Sequence, residues 1–375
     1  MHLSDTQRAV ADSIRSFAQD KIKPHSRAFA DAGSFPSRLF EELAALGLFG
    51  MIAPASFGGA ESDYVSYALA LMEIAAADGA LSTLVSIQNS IIIAGILKEG
   101  TPEQKSRFLP ALINGKTIGA FALTEADAGS DAAAIRTRAI RTNGGWVLNG
   151  SKQFITSGKI TGLAMVIAVT DASAGKRGLS AFLVPTERSG YEVEKVEHKM
   201  GQTASDTCGL RFENLFVEDD LVLGRPGHGY RIALSNLETG RIGIAAQCVG
   251  MAQAALEIAV AYAKERRSMG KAIIEHQAVG FRLADLAAKL EAARQLTLHA
   301  AALKDGGQPC LKQASMAKLV ASETAETVVS GSLQTLGGYG YLEDFGIAKI
   351  YRDVRVCQIY EGTSDIQRMV IARAL

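Results

Sequence analysis

The spacing of apolar residues changes twice along this 375-residue chain, and that double change limits the fold more than any single motif. Residues 4–117 carry apolar positions at a helical period. From about residue 118 to 227 the chain turns to Gly, Thr and Val in short alternating runs, which is strand texture. The helical period then returns and holds to the end. Helices, then strands, then helices read as an α+β protein with segregated layers. We expect three domains: a helical domain over 1–117, a β-barrel or sandwich over 118–227, and a helical bundle over 228–375.

Local signals refine this outline. Ser4 with Gln7 reads as a capping box, and Thr101-Pro102 as a helix start. Phe40 to Leu46 reads as a helix closed by Gly47. Ser62 to Ala77 is another helix. Gly79 to Leu97 carries no charge but holds Ser82, Thr83, Ser86, Gln88, Asn89 and Ser90. So many polar groups fit a buried helix of a water-soluble core better than a membrane span. In the middle region, LAMVIAVT (163–170) and LSAFLVP (179–185) read as buried strands. Asn149-Gly150, between two strand-like pieces, predicts a hairpin turn. Gly229 to Arg266, residues 282–304 and Gln313 to Leu336 read as long helices. Leu283, Leu286, Leu290 and Ala293 share one face of the second.

Composition excludes several function classes. Lys+Arg and Asp+Glu are both 39, so no basic excess favours nucleic acid. The four cysteines, Cys208, Cys248, Cys310 and Cys357, form no CxxC pair, and the six histidines form no HxxxH or HExxH pattern. A zinc site and a disulfide framework are both disfavoured, and a reducing, cytoplasmic setting is expected. The start, MHLSDTQRAVADSIRSFAQD, is amphipathic and charged, unlike a signal peptide. No GxGxxG, GxSxG or GxxxxGK[ST] motif is present.

The segments able to carry chemistry each have a plain alternative. FALTEADAGSD (121–131) leaves a strand through a small-residue turn; it either holds a polar ligand edge or is simply a loop. Glu238 and Arg241 lie one helical turn apart and either bridge each other or bind a ligand. KERRSMG (264–270) is a basic helix end, or a phosphate contact. The paired glycines of LQTLGGYGY (333–341) stop a helix, or let backbone approach a ligand. In QIYEGTSDIQ (358–367), burial beside Ile359 and Tyr360 would raise the pKa of Glu361 and make it a base for a weakly acidic C–H. Gly362 leaves room for a carbonyl at a backbone N–H. The alternative is a Glu that caps the next helix turn.

Taken in order, FALTEADAGSD, NGSKQFIT, ETGRIGIAAQ, KERRSMGKAI, EHQAVGFRLAD, LQTLGGYGY and YRDVRVCQIYEGTSDIQR resemble the acyl-CoA dehydrogenase family across essentially the whole chain, and its short-chain, butyryl-CoA branch in particular. The resemblance implies a C-terminal four-helix bundle, FAD between the β-domain and the bundle, an acyl-CoA substrate, a homotetramer, and electron-transfer flavoprotein as acceptor. It implies no metal, nucleic acid or membrane insertion. By position Glu361 matches the base that takes the α-proton, while hydride passes to the flavin. The Glu361 N–H, with a ribityl hydroxyl, would bind the thioester carbonyl. Phe121, Leu123, Thr124, Gly129, Ser130, Phe154, Ile155 and Thr156 match flavin-facing positions. Arg266, Gln277, Gln334, Gly337 and Gly338 match groups toward a partner subunit's FAD, and Met269 matches a position near the cofactor. Thr363 and Asp365 follow the base and match positions toward the FAD pyrophosphate and adenosine. Ser130, Glu238, Arg241, Tyr360 and Gly362 match substrate contacts, and Gly79–Leu97 the acyl-pocket floor.

Some relatives carry the base at the position of Gly240, which leaves Glu361 as the base here. The family's usual Phe, Asp and Trp are Met269, Glu238 and Phe154. Its usual Pro-Gly is Ala126-Asp127, and a small polar residue is replaced by Asp206. The competing readings are a branched-chain or aryl-acyl-CoA dehydrogenase with the same machinery, an oxidase passing electrons to O₂, which the short, single-bundle length disfavours, and a helical scaffold without turnover.

Overall fold

The computed structural model describes residues 2–375. Seven helices open the chain: α1 (Asp5–Phe17), α2 (Ser26–Ala32), α3 (Ser37–Ala45), α4 (Tyr64–Ala77), α5 (Gly79–Ile87), α6 (Ala94–Glu99) and α7 (Pro102–Ile113). Their starts are chemically marked. Ser4 with Gln7, and Thr101 with Gln104, each close a capping box. Asp63 and Asp78 cap α4 and α5 through the N–H groups of Ser66 and Leu81. α5 runs through a wide π turn at Gln88–Ile93 into α6. The stretch Gly79–Glu99 is apolar enough to cross a membrane, as is the first long C-terminal helix, but 83% and 72% of their most apolar windows are buried inside the protein. They are core helices, as the polar groups of the first predicted.

The middle domain holds β1 (Gly119–Ala122), β2 (Arg138–Thr142), β3 (Gly145–Thr156), β4 (Leu163–Val169), β5 (Leu179–Pro185), β6 (Tyr191–Val196), β7 (Thr207–Glu218) and β8 (Val222–Leu223). The strand order is β6-β7-β3-β2-β4-β5-β8, with β1 parallel beside β4. The two ends of this path do not pair, so there is no closed barrel. β2 meets β4 at the single pair Arg138↔Val169, which leaves two halves. Alternation explains how they pack. Ala164, Val166, Phe182 and Val184 share one core with Trp146, Leu148, Leu210 and Phe212 of the other half. The intervening Leu163, Met165 and Ile167 turn outward and pack on Ile91, Ile92, Leu109 and Ile232 of the helices.

One turn is misplaced by the sequence reading. The hairpin lies at Asn143-Gly144, between β2 and β3, with Gly144 at φ 75°. β3 runs straight through Asn149-Gly150: it pairs with β7 on both sides, with a register shift between Leu148 and Gly150, while its pairing with β2 stops at Asn149. The Asn149 side chain accepts the Asn214 N–H at 2.8 Å. A Cβ on Gly150 would lie 2.6 Å from Thr137 Oγ1, so close approach requires glycine there.

The C-terminal domain has three long helices, α8 (Gly229–Glu265), α9 (Gln277–Asp305) and α10 (Leu311–Leu336). A small hairpin, β9 (Arg267–Ser268) and β10 (Lys271–Ala272), joins the first two. Leu283, Leu286, Leu290 and Ala293 are buried, on the face expected. Two shorter helices, α11 (Ile347–Val354) and α12 (Ser364–Arg373), follow and both pack on α10. The turn between these two helices carries Glu361.

Candidate active site

Glu361 sits at φ 55° and Gly362 at φ 88°, two successive left-handed residues. For Glu this backbone is strained, and such strain persists only where surrounding groups over-determine it. Those groups are visible. Gln367 donates to the Glu361 carbonyl at 3.1 Å and to the Gly362 carbonyl at 2.8 Å. Lys318 Nζ donates to the same Gly362 carbonyl at 2.7 Å. Thr363 Oγ1 caps α12 through the Ile366 N–H. The cap is therefore Thr363, and the capping alternative for Glu361 fails.

Tyr360 is held by a closed ring of hydrogen bonds. Gln247 Nε2 donates to Thr83 Oγ1 at 2.5 Å, and Thr83 donates to Gln202 Oε1 at 2.7 Å. Gln202 Nε2 donates to the Tyr360 hydroxyl at 3.4 Å, which donates back to Gln247 Oε1 at 2.5 Å. α5, the loop before β7 and α8 thus each hold the residue preceding Glu361. Gln202 is itself fixed by Asp353, whose Oδ1 accepts its N–H.

The Glu361 carboxylate lies against α8. A Cβ at Gly240 would stand 2.8 Å from Oε2, so only glycine leaves the carboxylate its place. Oε2 is enclosed and has no hydrogen-bond partner. Burial pushes the Glu361 pKa up to about 7, although the positive charges of Arg241 and Lys318 pull it down. Of the two neighbours expected to enclose it, Tyr360 is held in the ring of hydrogen bonds and Ile359 is not buried, being 54% exposed; the enclosure comes from the packing of the turn on α8, seen at Gly240.

Glu238 and Arg241 do not bridge each other. Glu238 Oε1 takes Lys304 Nζ at 2.9 Å, while the buried Arg241 donates to Ser315 Oγ at 3.2 Å and keeps an unpartnered Nε. Phe154 lies at the strained end of β3, φ 59°, with 62% of its surface exposed, between the buried Lys152 and Ile155. Thr156 ends β3 opposite Thr207. Asp206 organises the following turn: its carbonyl accepts the Ser157 N–H and its carboxylate the Lys159 N–H.

Phe121 and Leu123 belong to β1 and its exit, and the Thr124 carbonyl accepts the Gln153 N–H at 2.8 Å. Gly129 and Ser130 are exposed on the following loop. Arg266, Gln334, Gly337 and Gly338 line one open cleft of about 490 Å³ with Tyr339, over whose ring the Arg266 guanidinium lies at 6.0 Å. Met269, 91% exposed at the β9–β10 tip, and Gln277, at the start of α9, lie outside that lining. Asp365 is exposed in the first turn of α12. Among the described residues, no cluster of His, Cys, Asp or Glu is placed to hold a metal.

Three family models span this architecture: the acyl-CoA dehydrogenase N-terminal domain over residues 4–116, middle domain over 120–215 and C-terminal domain over 227–375. The chain belongs to the acyl-CoA dehydrogenase family. It is thus an oxidoreductase. An acyl-CoA dehydrogenase of Bacillus subtilis (strain 168) is 43% identical, covering 100% of this chain and 99% of the relative. A subunit named CarC of the caffeyl-CoA reductase–Etf complex of Acetobacterium woodii is 39% identical, covering 100% of this chain and 99% of the relative. The solved structure of butyryl-CoA dehydrogenase from Megasphaera elsdenii superimposes with a TM-score of 0.97 at 38% identity, covering 100% of this chain and 99% of that one.

Three features of this acyl-CoA dehydrogenase were not foreseen. Lys318 is fully buried on α10, in the stripe of Ala314, Ala317, Ala321 and Ala325. A lysine interrupting an alanine stripe is a readable signal, but its target lies 44 residues on. The ring through Thr83, Gln202 and Gln247 had no local signal. The Lys152–Glu125 ion pair, at 2.7 Å, joins β3 to the FALTEADAGSD loop.

Proposed function

We propose that the protein oxidises a short acyl-CoA thioester between Cα and Cβ to the trans-2-enoyl-CoA, with Glu361 as the base and FAD as cofactor. The observation that carries this reading is the Glu361 carboxylate: enclosed, unpartnered at Oε2, and brought to a pKa of about 7. A base poised near the working pH combines an ionised fraction with a strong pull on the proton. Among the described residues the Glu361 N–H finds no acceptor, which leaves it free to polarise a thioester carbonyl as the α-proton departs.

The residues present fit a flavin. A Cβ at Gly129, Gly337 or Gly338 would meet nothing, so open space flanks each. Beside the Glu361 turn, Ser364 Oγ and Gln367 Oε1 are buried without partners. Phe121, Leu123, Thr124, Gly129, Ser130 and Phe154 to Thr156 would hold one end of FAD, with Thr363 and Asp365 on the other side of the turn. Bound FAD supplies the acceptor for the β-hydride. Glu361 takes the α-proton, the backbone of the turn holds the carbonyl, and the packed helices exclude water.

Depth favours a short chain. Gly243 lies one turn along α8 from Gly240, and a Cβ there would fall 2.2 Å from Ser86 Oγ and 2.9 Å from the Tyr67 hydroxyl. α4 and α5 close on α8 directly below the base. The Megasphaera butyryl-CoA dehydrogenase supports the same length. A second reading, an aryl-acyl-CoA substrate, is favoured by the CarC relative. Electron-transfer flavoprotein as acceptor, a homotetramer and a cytoplasmic setting belong to the same proposal.

The test is a visible spectrum under anaerobic conditions before and after butyryl-CoA. Flavin bands that bleach support the whole reading. Bands that persist move the substrate to an aryl, branched or longer acyl-CoA. No flavin after reconstitution with FAD overturns it.

A further inference from the structure

Lys318 is fully buried, and among the described residues no carboxylate stands within ion-pair distance of its ammonium. A buried lysine without a counter-ion is costly, and burial indeed lowers its pKa. Its one hydrogen bond, 2.7 Å to the Gly362 carbonyl, ends on the strained turn. Arg241, also buried, reaches only Ser315 Oγ and likewise has no ion pair. Two unpaired cations, one from α10 and one from α8, thus lie within electrostatic reach of the Glu361 carboxylate, whose Oε2 is enclosed. The groups around Lys318 are Cys248, Cys357, Glu361 and Arg241. Those acting on Glu361 are Arg241 and Lys318, with the Tyr67 hydroxyl also near.

We propose that Lys318 is a positioning residue for the reaction: its ammonium pins the Gly362 carbonyl, and so the left-handed turn, while its charge faces the Glu361 carboxylate. This rests on the reading of Glu361 as the base. The two roles are separable. The hydrogen bond fixes where the carboxylate and the Glu361 N–H point. The charge fixes the pH at which the carboxylate is ionised. Gln367 grips the same carbonyl but carries no charge, so it cannot replace the second role.

The experiment compares FAD-loaded wild type with K318Q, K318M and K318R. Two readouts are taken: the pH profile of turnover with a bleaching acyl-CoA, and infrared difference titration of the Glu361 carboxyl, assigned by its absence in E361Q. K318Q keeps a donor and loses the charge. Its acid limb and its carboxyl midpoint are expected to rise together by about one pH unit. K318M loses both roles, so the same rise comes with a plateau about tenfold below that of K318Q. K318R keeps the charge and returns the limb toward wild type. Unshifted limb and midpoint in folded, yellow K318Q or K318M overturn the proposal. Should those variants not fold, the reciprocal titration decides: the Lys318 ammonium midpoint, read by 15N NMR of labelled lysine and assigned by its absence in K318R, falls in E361Q if the two groups face each other, and an unchanged midpoint overturns the proposal. Turnover retained by E361Q would instead overturn the assignment of the base, whatever Lys318 does.

Discussion

Glu125 and Glu361 both stand beside a lysine whose side chain is wholly buried, yet they are wired in opposite ways. Glu125 Oε1 takes Lys152 Nζ at 2.7 Å and the Thr137 N–H at 3.0 Å, and Oε2 takes the Arg136 N–H at 2.6 Å. Burial works to raise its pKa, but Lys152 and these donors hold it below the usual carboxylate range. At Glu361 the neighbouring lysine bonds the backbone instead, Oε2 is left bare, and burial prevails. The first carboxylate is spent on structure. The second keeps its lone pairs for an incoming proton. The contrast teaches that a buried carboxylate is made reactive by what its neighbours withhold.

The comparison breaks most sharply at the base. E361Q should retain FAD and lose about 10²–10⁴-fold in turnover, measured by steady-state kinetics. The equivalent change on the structural side is K152M. It removes one of the three donors to Glu125 and should cost roughly 1.5–3 kcal/mol in denaturant unfolding.

The two carboxylates should also tilt stability in opposite directions with pH. Glu125 has a lowered pKa, so its contribution is present above the ordinary carboxylate range and is lost on acidification through its folded value. Glu361 has a raised pKa, so the fold favours its protonated form. Its contribution is full below about 4.5 and is lost as pH rises through about 7. E361Q should therefore be more stable than wild type at pH 8, by roughly 2–3 kcal/mol, with the gain vanishing near pH 4.5. Melting curves at the two pH values check the sign. A gentler probe is G240A: its methyl would press on Oε2, and turnover should fall about tenfold with FAD retained. Smallest of all, Y360F opens the ring at one hydroxyl and should cost about 1–3 kcal/mol of stability, read by denaturant unfolding.

Local chemistry was legible in the sequence and distant chemistry was not. The capping boxes at Ser4 and Thr101, the buried strand 163–169 and the apolar face of α9 follow from patterns a few residues long. So does the small-residue turn around Glu361. The Asn149-Gly150 turn failed because Asn143-Gly144 offered the same signal six residues earlier, and only the partner strand decides between them. Glu238 and Arg241 share spacing but not partners; Lys304 and Ser315 come from other segments. The family resemblance named Glu361, but nothing near it announced Lys318 or Gln202. Their roles exist only once α10 and the loop before β7 are docked.

The ring through Gln247, Thr83, Gln202 and Tyr360 draws one member from each of the three domains and one from the turn itself. The hydrogen bonds close only while every domain is seated. Prising any one away releases Tyr360, and the strained residue after it is free to relax. Warmed slowly, the enzyme should therefore fall silent before it melts: its activity reports the seams between domains, and its helices report only themselves.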